Sequence, residues 1–162
     1  MIRRLTVADT PAFRAIRLEA LRLAPDAYGS TLADWKDAGI DRFEARLGGS
    51  SVLGAFDGEL AGVAALDVER GGNVRHRGLV TMIYVTPASR GRGMAQAMMR
   101  HLEQVGAEME LLQLELHVAA DNPAAIAVYE KAGYRHHGLI PRALLSQGRF
   151  IDEMLMIRRL DG

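Results

Sequence analysis

Asn122-Pro123-Ala124-Ala125-Ile126-Ala127-Val128-Tyr129-Glu130-Lys131-Ala132-Gly133-Tyr134 reads as one helix with both ends marked. Asn122 is a good N-cap, Pro123 suits the first helical position because the N–H it lacks has no intrahelical partner, and Gly133 is placed to end the helix. Before it, Leu112, Leu114, Leu116 and Val118 alternate with Gln113, Glu115 and His117, the period of a strand. Asn122 and Tyr129 stand seven residues apart, nearly two helical turns, so both project from one face, about 10 Å apart along the axis. That face can line one long ligand. Capping and ligand contact are compatible jobs for Asn122. Tyr129 fits either a core aromatic packed on Ile126 or a hydroxyl turned toward a ligand.

Upstream, the β-branched run Leu79 to Val85 leads through Thr86-Pro87 into Arg90-Gly91-Arg92-Gly93-Met94-Ala95, after which Met94, Met98, Leu102 and Val105 recur at helical spacing to about Glu108. A glycine-rich turn from strand to helix traps anions, because N–H groups at a helix N-terminus have no intrahelical partner and sit at the positive end of the dipole. The string alone fits any phosphate. It is not a P-loop, because Gly93 is followed by Met94 where that loop needs Lys and then Ser or Thr.

The rest of the chain alternates strand and helix signals without repeat, linker or low-complexity tract. Met1 to Val7 looks like a first strand. Thr10-Pro11 opens a helix to about Ala24 with Phe13, Ile16, Leu18 and Leu21 on its apolar face. Asp26 to Gly39 is irregular and holds aromatics, and a second short helix covers Asp41 to Leu47. Asp57-Gly58 joins Ser51–Phe56 to Leu60–Val68 as a hairpin, and strands near Tyr134–Leu139 and Arg149–Leu160 finish the chain. Hairpins at both ends and a strand-helix-strand crossover between them imply an α/β fold on a mixed, mostly antiparallel twisted sheet of about seven strands with about four helices.

The length, 162 residues, suits a single domain spanning 1–162 that folds without disulfides or metals. Hydrophobic residues at 49%, with no apolar run near the roughly 20 residues of a membrane span, predict a soluble protein with no membrane partner. The N-terminus lacks a signal-peptide pattern, so the expected location is cytoplasmic. Formal net charge is zero, which removes the bulk electrostatics that drive nucleic-acid binding. Cysteine is absent, and His136 and His137, being adjacent, would face opposite sides of a strand, so no metal site is expected.

The Asn122–Tyr134 stretch and the RGRGMA turn, in this order and spacing, resemble the GNAT superfamily of N-acetyltransferases, whose pattern is (Gln/Arg)-x-x-Gly-x-(Gly/Ala) followed by Asn-x-x-Ala-x-x-x-Tyr-Glu-x-x-Gly-(Phe/Tyr). The resemblance extends more loosely over the whole chain. It implies acetyl-CoA as co-substrate, with the pyrophosphate on the N–H groups of Gly91, Arg92, Gly93, Met94, Ala95 and Gln96 beside Arg90. It also implies central strands splayed to hold the pantetheine arm, which would lie along Ile83, Tyr84 and Val85, where a backbone N–H polarises the thioester carbonyl. Asn122 and Tyr129 would complete the coenzyme site. In this family the tyrosine serves as general acid toward the departing thiolate, and here Tyr129 takes that place. A phenol near pKa 10 facing a thiol near 8.5 makes full transfer uphill by roughly 2 kcal/mol, so Tyr129 is expected to act mainly as a hydrogen-bond donor.

The acceptor, a small-molecule or peptide amine, is protonated at neutral pH, so a base is needed. His117 is the first candidate, because it stands where some protein N-terminal acetyltransferases of the family carry a catalytic glutamate. Glu115, on the same strand face about 7 Å away, is the second. Each also fits a structural role as a hydrogen-bonded strand residue. Asp152 and Glu153 would lie near the acceptor cleft. The resemblance further implies an acceptor pocket built by the first helices and the loop before the last strand, about Tyr28 to Trp35 and Pro141 to Arg149. Homodimers are common in such folds. The resulting expectation is direct acetyl transfer from acetyl-CoA to a primary amine. The alternative is a non-catalytic acyl-CoA-sensing module, which the presence of Tyr129 alongside Asn122 disfavours.

Overall fold

In the computed structural model, which describes residues 1–162, the strands are β1 (Ile2–Arg4), β2 (Ser51–Asp57), β3 (Glu59–Val68), β4 (Arg77–Val85), β5 (Gln113–Ala119), β6 (Arg135–Ser146) and β7 (Arg149–Arg159). The helices are α1 (Thr10–Leu23), α2 (Leu32–Trp35), α3 (Ile40–Gly49), α4 (Met94–Glu108) and α5 (Pro123–Lys131). The strands form one sheet in the order β1-β2-β3-β4-β5-β7-β6, antiparallel throughout except where β4 meets β5. The expected mixed, mostly antiparallel sheet of seven strands is present.

Alternation along the strands sorts the core onto two sheet faces. Leu53, Ala64, Leu66, Leu114, Leu116 and Met156 pack with Met98, Met99 and Leu102 of α4 and Tyr129 of α5. Val52, Val63 and Ala65 pack on the other face with Phe13, Ile16 and Ala20 of α1 and Phe43 and Leu47 of α3. No helix is long and apolar enough to cross a membrane.

Three elements differ from the sequence reading. The helix count is five, because Leu32–Trp35 is a helical turn inside the segment expected to be irregular. Thr31 and Asp34 cap it reciprocally, the Asp34 N–H donating to Thr31 Oγ1 at 3.2 Å and the Thr31 N–H to Asp34 Oδ2 at 2.8 Å. The first strand is short, and a 3-10 turn at Val7–Asp9 follows it. Pro141 to Arg149 is not a loop: β6 runs on to Ser146, with Gln147 and Gly148 at positive φ forming a two-residue hairpin turn into β7. Pro141 is tolerated because β6 is an edge strand whose register slips between Ile140 and Leu144.

The parting of β4 from β5 shapes the rest of the molecule. They pair only at Arg77–Gln113, Gly78–Leu114 and Leu79–Glu115, after which β4 has no neighbour on that side. Where the strands part, β4 carries a bulge. Val63 pairs with Tyr84 and Ala65 with Thr81, so two residues of β4, Met82 and Ile83, oppose one of β3. Met82 absorbs the extra residue at φ 57°. The bulge shifts the parity of the strand by one: Val80, Ile83 and Val85 face the α4 side, and Met82 and Tyr84 face the α1 side.

Candidate active site

The gap between β4 and β5 opens a cleft of about 1040 Å3 lined by both strands, the glycine turn, α4, α5 and the α1–α2 region. Along one wall runs the freed edge of β4, from Val80 to Val85, with the bulge at Met82 and Ile83 within it. An extended, amide-bearing chain can pair with such an edge as a strand would.

At the end of β4 the chain enters the turn and starts α4. Gly91 and Gly93 both sit at φ 78°, the left-handed conformation, and a Cβ on either would meet nothing within 4 Å. Backbone conformation, rather than lack of space, makes glycine the fitting residue at both positions. The first helical bond of α4 runs from the Ala97 N–H to the Gly93 carbonyl, at 3.0 Å. The N–H groups from Gly91 to Gln96 therefore make no backbone hydrogen bond and gather at the positive end of a fifteen-residue helix. A pyrophosphate fits that donor set. Arg90, which lines the cleft, is steadied by its Nε donating to the Val85 carbonyl at 3.0 Å.

Of the coenzyme-side residues expected from the sequence, only Arg92 does not line this cleft. Its guanidinium turns outward to Asp57 at 2.7 Å, joining the turn to the β2–β3 hairpin. Asn122 caps α5, its Oδ1 accepting from the Ala125 N–H at 3.2 Å, and lines the cleft as well. The Gln96 side chain donates to the Val128 carbonyl at 2.7 Å, fastening α4 to α5 under the site.

Tyr129 is buried, packs edge-on to Tyr134 with ring centroids 6.4 Å apart, and faces the cleft. The sequence left core packing and ligand contact as alternatives; the fold packs the ring into the core and also puts it on the cleft wall. Burial alone pushes its phenol up to about 12, so it is a proton-bearing donor at any physiological pH.

The two base candidates separate. His117 lines the cleft and is exposed. Glu115 does not line the cleft. It accepts a two-bond fork from Arg77, at 2.6 and 2.7 Å, and a third bond from Gln113 at 2.8 Å. The Arg77 guanidinium holds its carboxyl below the usual range, leaving a weak base occupied by structure. Asp152 and Glu153 divide likewise. Asp152 accepts from the Arg142 N–H at 2.9 Å, securing the slipped stretch of β6, while Glu153 lines the cleft.

Arg142 and Arg149 have structural partners. Arg142 lies over the Phe150 ring at 4.7 Å, and Arg149 pairs with Asp26 at 2.7 Å and Asp121 at 3.0 Å. With Ser146 donating to Asp26 at 2.6 Å, the tip of the β6–β7 hairpin is pinned to the 3-10 turn Pro25–Ala27, which carries Tyr28 over the cleft. The Tyr28 hydroxyl donates to the Ile83 carbonyl at 2.8 Å, just beyond the β4 bulge. Arg17, Trp35 and Arg46 line the same region. Arg17, which the sequence reading does not single out, lies among the buried residues Phe13, Ile16, Ala20 and Leu21 of α1, an unusual place for a charge.

The model of the acetyltransferase (GNAT) family matches residues 14–134. The chain is 30% identical to the L-amino acid N-acetyltransferase AaaT of Escherichia coli (strain K12), over 93% of this chain and 94% of that protein. Among solved structures it superposes on a ribosomal-protein-alanine N-acetyltransferase from Brucella melitensis with a TM-score of 0.86 at 26% identity, covering 99% of each chain. A phosphinothricin acetyltransferase from Sinorhizobium meliloti in complex with acetyl-CoA gives the same TM-score, 0.86, at 22% identity, over 99% of this chain and 88% of that one, and so shares its fold.

Proposed function

This chain belongs to the acetyltransferase (GNAT) family, and on that ground we propose that it acetylates a primary amine by direct attack of the amine on acetyl-CoA. It is an acyltransferase, and acetyl-CoA is its acetyl donor. The observation that carries the proposal is one cleft in which a freed strand edge, six consecutive unpaired N–H groups and a buried tyrosine hydroxyl follow one another.

The N–H groups from Gly91 to Gln96 hold the pyrophosphate, and the edge of β4 at Ile83 to Val85 pairs with the pantetheine amides. A backbone N–H there polarises the thioester carbonyl. His117 takes a proton from the ammonium form of the acceptor, directly or through a water. The neutral amine nitrogen then bonds to the acetyl carbon, and the tetrahedral adduct collapses as the C–S bond breaks with its electron pair leaving on sulfur. The extra proton on the nitrogen passes through water to the thiolate, giving the amide and the coenzyme thiol, while His117 returns its proton to solvent. With Tyr129 at about 12, complete transfer of its proton to a thiolate near 8.5 is uphill by about 5 kcal/mol, less whatever the same burial adds to the thiol. Tyr129 therefore serves as a hydrogen-bond donor to sulfur as charge develops. Without a cysteine, no thiol on the enzyme can carry the acetyl group in between.

A panel of amines incubated with acetyl-CoA and followed by mass spectrometry tests the proposal. At least one amine is expected to gain an acetyl group at a rate proportional to enzyme. Calorimetric binding of acetyl-CoA with no amine acetylated would instead establish a sensing module.

A further inference from the structure

Arg17 is 6% exposed, yet its Nε and Nη1 are sealed from solvent without a hydrogen-bond partner. A guanidinium is charged at every working pH and carries five donors, so burying it unpaired is among the most costly arrangements a core can hold. The groups that act on its charge are the Tyr28 phenol and the Arg46 guanidinium, with no carboxylate among them. Arg46 cannot share a partner, because both its terminal nitrogens are given to Asp67, each at 3.0 Å. The indole N–H of Trp35, another residue of the cleft lining, is also buried and unpaired. Arg17 lines the cleft while its buried charge has no acidic partner in the fold, so the complement this wall lacks is a planar oxyanion entering from the cleft.

The position of Arg17 is fixed. Its guanidinium lies over the Tyr28 ring at 4.9 Å, and the hydroxyl of that ring donates to the Ile83 carbonyl, on the strand segment where the thioester would lie. A ligand group held by Arg17 is therefore one aromatic ring away from the point of transfer. That reach suits a compact acceptor whose amine and acid are close together.

We propose that Arg17 is the specificity-determining residue of the acceptor site, and that it binds the carboxylate of an amino acid whose amine is acetylated. This rests on the amine acetylation proposed above and names the class of acceptor. Binding would supply the counter-charge that the folded protein leaves out and would reduce the cost of the unpaired guanidinium, so affinity comes from charge pairing as well as from contact.

The test compares free amino acids with their carboxamides and with the corresponding decarboxylated amines, in wild type, Arg17→Lys and Arg17→Gln. Wild type is expected to favour acid over amide by about a hundredfold in kcat/KM. Arg17→Gln should bring the two within about fivefold, through KM of the acid, with amide turnover and acetyl-CoA KM unchanged. Arg17→Lys should fall between, keeping charge but losing the planar guanidinium. Because the acid-to-amide ratio is read within one sample, loss of folded protein cancels from it. Equal use of acid and amide by wild type, an equal loss for both in Arg17→Gln, or a raised acetyl-CoA KM in that variant would each overturn the assignment. A wild type that acetylates only amines without an acid overturns the role of Arg17 and leaves amine acetylation standing. One that acetylates nothing overturns both.

Discussion

On the donor side of the cleft the groups that face a ligand are mainly backbone: the N–H run from Gly91 to Gln96 and the edge of β4 left free beyond Leu79. On the side proposed for the acceptor the cleft is lined by side chains, Arg17, Tyr28, Trp35, His117 and Glu153, brought together from distant parts of the chain. A backbone site recognises what every donor molecule shares, and its sequence is constrained by conformation. A side-chain site recognises what distinguishes one acceptor from another, and its sequence is constrained by the chemistry of the acceptor as well as by packing. The difference separates the expected effects of mutation into two classes.

Tyr129 stands where the two sides meet, and its removal should have the largest effect on rate. Tyr129→Phe is expected to lower kcat by about a hundredfold to a thousandfold while acetyl-CoA binding measured by calorimetry stays within about threefold. Turnover at the wild-type rate would take the hydroxyl out of the reaction. The alkaline limb of the pH profile should not move in this variant, because burial holds the phenol at about 12 in the free enzyme.

Gly93→Val places a β-branched residue at φ 78° and turns the N–H run away from its common focus. The dissociation constant of acetyl-CoA should rise by about ten- to a hundredfold, with kcat at saturation retained within about fivefold. Unaltered coenzyme binding would mean that the turn does not hold the phosphates.

On the acceptor side, His117→Ala should lower kcat/KM by about tenfold near neutral pH and flatten its acidic limb. An unmoved limb would assign proton removal to Glu153 or to water. The smallest effect on catalysis is expected from Glu115→Gln. This variant should leave the shape of the pH profile intact and cost about 1–2 kcal/mol of stability, read by denaturant titration, by weakening the Arg77 fork. Since Arg77 holds the Glu115 carboxyl below its ordinary 4.5, the ion pair stabilises the fold above that pH and is lost as the medium becomes more acidic. The stability gap between wild type and variant should therefore close on acidification. A gap independent of pH would refute the ion-pair account.

The same contrast explains what could be read from the sequence. Gly91, Gly93, Pro123 and the alternation in β5 declare themselves because each is demanded by local geometry, so the turn, the crossover and the seven-stranded sheet were legible. The extra helical turn at Leu32–Trp35 rests on a Thr31–Asp34 capping box, whose side-chain bonds are local but whose four residues carry no helical period. The continuation of β6 through Pro141 was hidden because an edge strand tolerates a proline and a slipped register. His117 and Glu115 share a strand face and look equivalent as sequence. Only the position of Arg77, across the parallel pair of β4 and β5, separates a paired carboxylate from an exposed imidazole. The role proposed for Arg17 rests on Tyr28 and Ile83, partners that no local pattern connects to it.

The measurement that bears most directly on this division is a pair of Michaelis constants, for acetyl-CoA and for an amino-acid acceptor, determined in Gly93→Val and in Arg17→Gln. The account predicts a crossover: Gly93→Val raises the acetyl-CoA constant by tenfold or more and leaves the acceptor constant within about threefold, and Arg17→Gln does the reverse. If either variant shifted both constants together, the cleft would not be divided between a backbone-built donor side and a side-chain-built acceptor side.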